Sequence, residues 1–349
     1  MASHKYLLYI SQNYAYAMLR PLQAEILKRG DEVRWFLEGK EVSSHYLDFT
    51  EKSLANIDAV KAWEPDFVLV PGNIVPDFIP GIKVGLFHGF NSGKRGNDAH
   101  FKIRQCFDMY CTQGPNTTER FTQLSEQYKT FTIKETGWAM LDPLFIPTNN
   151  NPYHINGDER PTILVCSTFS EETSYAKELL PTIKKLSESS DYRWLVQFHP
   201  KMPLEIVNAY KAIQNKNLSF VETDNVIPLL QAADLMLCDT SSIMTMFLLQ
   251  KKIVIAYKNK TRNESFLHVD NADDIEEQVK FALTNPSELL NKVDDYCSQT
   301  HPYIDGKSSE RIINACEELK VNGIEQLKKK PLNIIRQLKL RKKLKYWKI

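Results

Sequence analysis

The residues of this chain whose types and spacing fit one chemistry are two histidines, a run of hydroxyls and a few cations, and that chemistry is the handling of a phosphate or pyrophosphate. Asp239-Thr240-Ser241-Ser242 follows the apolar run Leu235 to Cys238 and precedes a helix-like segment from Met244 to Leu249. Hydroxyls at a helix start, with backbone N–H groups behind them, suit non-bridging oxygens held against the positive end of the helix dipole. A plain helix cap is the competing reading, because Ser and Thr are favoured there in any helix. Other strand ends carry Ser167-Thr168, His199-Pro200-Lys201 and His88-Gly89, the last followed by Lys94 and Arg95. Either histidine alone fits an ordinary structural role. Together the set supplies donors for oxygens, positive charge for a leaving group and a base that titrates near neutral pH. There is no glycine-rich P-loop, no dinucleotide fingerprint and no metal-ligand spacing, which argues against an NTPase, a dehydrogenase and a metal site.

These residues need a scaffold that brings strand ends together. Apolar strand-like runs alternate with helical segments from Lys5 to Glu135 and again from Thr162 to Ala256, so the fold class expected is α/β with two doubly wound parallel sheets. Ligands in such sheets lie beyond the carboxyl ends of the strands. The candidate residues occupy those ends, so they are expected to converge on one cleft. The expected division is a Rossmann-like domain over 1–145, a linker over 146–160 that contains Asn149-Asn150-Asn151-Pro152, a second Rossmann-like domain over 161–322, and a tail over 323–349.

Composition narrows the class. With 42% apolar and 25% charged residues in 349, the chain reads as a globular protein. Its six cysteines lack paired spacing and lie mostly in apolar segments, so buried free thiols and a reducing, cytoplasmic setting are expected. No signal peptide and no membrane-spanning run are evident. The net charge of +1 conceals an asymmetry: Lys328 to Ile349 holds ten Lys and Arg and no acid, leaving −9 on the rest. Leu332, Ile335, Leu338, Leu340, Leu344 and Trp347 interleave with those charges, as in an amphipathic helix on an anionic membrane surface.

Six segments occur in order: Leu86-Phe87-His88-Gly89, Gly137-Trp138-Ala139-Met140-Leu141-Asp142, Val165-Cys166-Ser167-Thr168-Phe169, Gln197-Phe198-His199-Pro200, Asp239-Thr240-Ser241-Ser242-Ile243-Met244, and Tyr303 to Ile312. In order and spacing they resemble the CDP-glycerol glycerophosphotransferase family, the primases and polymerases of teichoic acid and related capsular polymers. The sequence departs from the family pattern at Phe90-Asn91, where Thr-Pro is usual, at Ser170 in place of Arg, and at Ala139 in place of Pro.

The resemblance implies a B-type glycosyltransferase fold, in which the first domain is the acceptor side and the second binds the nucleotide donor. It implies attack by an acceptor hydroxyl on the β-phosphate of CDP-glycerol, with release of CMP. His88 would be the base and His199 would stabilise departing CMP. Gly89, Thr168, Asp239, Thr240, Ser241 and Ser242 would line the phosphates, while Asp305, Gly306, Ser308 and Ser309 would place nucleotide or glycerol. Lys201 joins them on charge and position. No cofactor or metal is implied. The partners would be a nucleotide-activated donor, a glycan or lipid-linked acceptor and an anionic membrane surface at Lys328 to Ile349, with no nucleic acid. The setting would be cytoplasmic, peripheral on the inner face of the membrane. Competing readings are a B-type transferase using CDP-ribitol or a nucleotide sugar, a UDP-sugar 2-epimerase whose acidic catalytic pair is not evident here, and a catalytically silent glycan-binding or membrane-docking subunit.

Overall fold

The computed structural model describes residues 3–90, 100–170, 172–223 and 225–348. The chain forms two compact units, one comprising Met1–Pro143 with Gln299–Ile349 and the other Leu144–Ser298. Each is built on a six-stranded parallel sheet.

In unit 1 the strands are β1 Lys5–Ile10, β2 Glu32–Leu37, β3 Phe67–Val70, β4 Ile82–Gly85, β5 Met109–Thr112 and β6 Thr132–Glu135, in the order β2-β1-β3-β4-β5-β6. Helices α1 Ala15–Lys28, α2 Ile57–Trp63 and α3 Pro115–Tyr128 lie in the connections, and a helical turn, α4 Asp142–Phe145, ends the first segment. Strand side chains alternate between the two faces. Thus Tyr6, Leu8 and Ile10 pack with Leu19, Leu22 and Ile26 of α1, whereas Leu7 and Tyr9 pack with Val68, Val70, Phe107 and Phe121 on the other face. Both faces are covered, which is why the strands read as continuous apolar runs.

Unit 2 repeats the plan with β7 Thr162–Ser167, β8 Arg193–Phe198, β9 Leu218–Phe220, β10 Leu235–Cys238, β11 Ile253–Tyr257 and β12 Leu267–Val269, in the order β12-β11-β10-β7-β8-β9. Its helices are α5 Ala176–Ser187, α6 Leu204–Ala212, α7 Ile227–Ala232, α8 Ile243–Leu248, α9 Ile275–Leu283 and α10 Ser287–Thr300. From β7 the chain runs outward through β8 and β9, then returns to the other side of β7 at β10. The point of reversal therefore lies between β7 and β10.

Two features of the division differ from sequence order. Helix α11 Ser308–Asn322, expected in the second domain, packs in unit 1: its Ile312, Ile313, Ala315 and Cys316 join the cluster formed by α1 and the sheet. The stretch 146–160, expected to be the linker between domains, belongs to unit 2. Thr148 Oγ1 bonds Gln231 at 2.6 Å, and Asn151 donates to the Pro228 carbonyl at 2.8 Å. The tail also folds onto unit 1 through α12 Ile334–Leu344, with Leu340 and Tyr346 buried. All six cysteines are buried and unpaired, and among the described residues no helix is long and apolar enough to cross a membrane.

Candidate functional site

The switch point of unit 2 gathers three of the expected segments. Asp239, which follows β10, is 1% exposed and ties two loops together: its carboxylate accepts from Ser167 Oγ, from the Thr168 N–H at 2.9 Å and from the Tyr175 N–H at 3.2 Å. Burial pushes its pKa up, and these donors act in the opposite direction. Asp239 thus positions the loops after β7 and β10 and has no oxygen turned to solvent. Beyond Thr168 the Phe169 ring lies 4.4 Å from the His199 ring, which joins the loop after β8 to the same group, and Lys201 Nζ sits 5.6 Å from the Phe169 centroid.

The hydroxyls beside Asp239 divide into two kinds. Thr240 Oγ1 accepts from the Lys260 N–H at 3.3 Å. Ser242 stands at the N-cap of α8, yet its side chain makes no capping bond, and it is exposed. Neither Ser241 Oγ nor Ser242 Oγ has a hydrogen-bond partner among the described residues. Capping does not account for them.

The two histidines are fixed in opposite tautomers by their neighbours. His199 Nδ1 accepts from the Lys201 N–H at 3.1 Å, so in the neutral ring Nε2 carries the proton and is a donor. Burial, aided by the Lys201 charge, lowers its pKa. In unit 1, His88 Nδ1 lies 3.3 Å from the Pro71 carbonyl, which can only accept, so Nδ1 carries the proton and Nε2 offers a lone pair. Phe87, just before it, adopts φ +57°, an unfavourable region for a residue with a side chain. Its ring is held by stacking on His100 at 5.1 Å and by the edge of Phe121 at 5.0 Å. Gly89 accepts from Gln113 Nε2 at 3.3 Å. Lys94 and Arg95 lie outside the described residues.

The segment Asp305 to Ser309 belongs to unit 1, and its geometry is structural. The N–H groups of Ser308 and Ser309 donate to the two oxygens of Asp142 at 2.8 and 2.7 Å, so a carboxylate of the protein already occupies the start of α11. Both serines are buried, at 1% and 5% exposure. Asp305 pairs with Arg311, whose guanidinium covers the Tyr303 ring at 4.2 Å. Gly306, with φ +66°, makes the turn between them. The amides of Ser308 and Ser309 therefore hold Asp142, while Ser309 Oγ is buried with no hydrogen-bond partner among the described residues.

Sequence reading missed the switch point of unit 1. There the chain reverses between β1 and β3, and the residues beyond those strands are Ser11-Gln12-Asn13 and Gly72-Asn73. His88 reaches that position through Pro71. The only signal in the sequence was a polar run directly after an apolar one. One further group, His4, Asp31 and Glu317, brings possible metal-ligand atoms within 4.8 Å, but it lies at the amino ends of β1 and β2. Arg29 lies 3.4 Å from the Glu317 carboxylate there and supplies its countercharge.

The fold is shared with enzymes of nucleotide-linked substrates. A putative UDP-N-acetylglucosamine 2-epimerase from Listeria monocytogenes superposes with a TM-score of 0.65 at 14% identity, covering 92% of this chain and 98% of that one. A variant of the wall teichoic acid polymerase TagF soaked with CDPG gives 0.61 at 14%, covering 91% and 89%. The S. aureus MnaA–UDP structure gives 0.60 at 16%, covering 94% and 99%. No curated protein matches the chain by sequence. The family model described as UDP-N-acetylglucosamine 2-epimerase matches residues 102–317, which take in the unit 2 switch point and well over half of the chain, and the protein belongs to that family.

Proposed function

We propose that the protein transfers glycerol phosphate from CDP-glycerol to a hydroxyl of a glycan or lipid-linked acceptor. The observation that carries this reading is the switch point of unit 2, where His199 Nε2 is a donor and the hydroxyls of Ser241 and Ser242 have no hydrogen-bond partner among the described residues. His88 Nε2 has the lone pair that a base needs, and His199 Nε2 has the proton that a leaving phosphate needs. In the step proposed, the acceptor oxygen bonds to the β-phosphorus as its proton passes to a general base. The bond from that phosphorus to the bridging oxygen breaks, and CMP leaves with that oxygen, stabilised by His199. Ser241, Ser242 and Thr168 receive the non-bridging oxygens, and Lys201 adds positive charge. No metal or cofactor is assigned a role.

The family match favours a second reading, epimerisation of a UDP-sugar at C2. Against it stands the engagement of the carboxylates near these segments: Asp142 holds the start of α11, Asp239 ties two loops, Asp305 pairs with Arg311, and Glu135 accepts from Thr118 and Tyr303. Incubation with CDP-glycerol, CDP-ribitol and UDP-N-acetylglucosamine separates the readings. Acceptor-dependent release of CMP from CDP-glycerol is the expected result. C2 inversion of the UDP-sugar, seen by NMR without CMP release, would replace it.

A further inference from the structure

Folding sorts the residues of the basic tail into two sets. One set anchors it to unit 1: Leu340 and Tyr346 are buried, Lys343 pairs with Glu38 at 2.7 Å, Lys348 pairs with Asp58 at 3.0 Å, and Lys330 pairs with Asp108. Arg341 covers the Phe78 ring at 4.7 Å. The other set faces water. Ile334, Ile335 and Leu338 are 62%, 73% and 50% exposed, with Leu332 and Trp347 at 76% and 60% on either side. At about 100° per residue, Ile334, Leu338, Lys342, Ile335 and Lys339 fall in that order within one arc of roughly 140° on α12. Lys339, Lys342 and Lys345 have no ion pair among the described residues. Lys330, Lys343 and Lys348 thus meet carboxylates of unit 1, whereas the cations beside the exposed apolar residues meet none among the described residues.

We propose that this outward face of α12, with Leu332 and Trp347, docks the protein on an anionic lipid bilayer. Apolar side chains set among unpaired lysines match an interface in which acyl chains lie beneath negative headgroups. An exposed Trp beside them suits the headgroup level. A second copy of the chain is a poor occupant, because a two-fold contact would press the same unpaired lysines together. The −9 charge on residues 1–327 opposes approach by other surfaces and favours the tail as the point of contact. This inference does not depend on the reaction assigned to the site.

The test is flotation of the full chain with vesicles of phosphatidylcholine alone or with 30% phosphatidylglycerol, alongside Lys339→Gln/Lys342→Gln and Ile335→Ser/Leu338→Ser. The side chains changed are exposed, so unchanged melting is expected and is measured for each variant. The wild type is expected on anionic vesicles only and to leave them as salt rises. The lysine pair should lower partitioning about thirtyfold, and the apolar pair at least about tenfold. Equal binding to both vesicle types, or none to either, overturns the proposal. So does concentration-dependent dimerisation lost in the Ile335→Ser/Leu338→Ser variant, or binding to RNA in place of vesicles.

Discussion

His301 makes unit 1 sensitive to mild acid in a way that can be computed. It is fully buried, and its Nε2 accepts the Trp138 N–H at 2.9 Å. Protonation would place a charge out of water and turn an acceptor into a donor facing another donor. Burial accordingly pushes its pKa down to about 4 from 6.5. The unfolded chain then binds more protons than the folded one between these values, so stability is full above about 6.5 and is lost as pH falls toward 4. Linkage gives a loss of about 2 kcal/mol between pH 7 and pH 5, rising to about 3 kcal/mol at pH 4. His100, also held down to about 4 by burial, contributes in the same direction. His301→Gln isolates one contribution, since the Gln carbonyl can still accept from Trp138. Urea unfolding of both proteins at pH 7 and pH 5 should show the variant losing about 2 kcal/mol less than the wild type. Carboxylates held low by partners, such as Asp66 beside Lys320, titrate below this window and do not confuse it. Equal losses in the two proteins, or an NMR titration of His301 centred near 6.5, would refute the reasoning.

Three further outcomes are expected. Ser242→Ala, which removes an exposed hydroxyl with no capping bond, should lower turnover on the order of 10²-fold with unchanged melting; normal turnover would remove Ser242 from the site. Asp239→Asn retains the shape but presents an amide to donors that now meet a carboxylate. It should cost about 1–3 kcal/mol and weaken nucleotide binding as well, with calorimetry and urea unfolding as the checks. Gly137→Ala should destabilise by roughly 2–4 kcal/mol, because φ is +81° and a Cβ would come within 2.5 Å of Ser308 Oγ and 3.0 Å of His301 Nε2. A melting temperature equal to the wild type would show that this corner yields.

The sequence and the structure agree most closely where a signal is local. Buried parallel strands declare themselves as apolar runs, and the helix expected from Met244 to Leu249 forms at Ile243–Leu248. The short edge strand β12 escaped notice because only Val269 of its three residues is buried. The basic tail was legible as amphipathic, but its apolar residues proved to serve two faces, one packed on the protein and one free.

What the sequence by itself determined was the class of the two sheets and which residues stand at strand ends, because periodicity and strand termination are properties of neighbouring residues. Tertiary structure decided which of those residues remain available. Ser242 and Ser308 look alike as hydroxyls before helices, yet Ser308 faces Asp142 from a distant part of the chain while Ser242 Oγ bonds no protein group among the described residues. The tautomers of His88 and His199 follow the same rule: a carbonyl from another strand end sets the first, a following amide sets the second, and those contacts exist only once the backbone is folded.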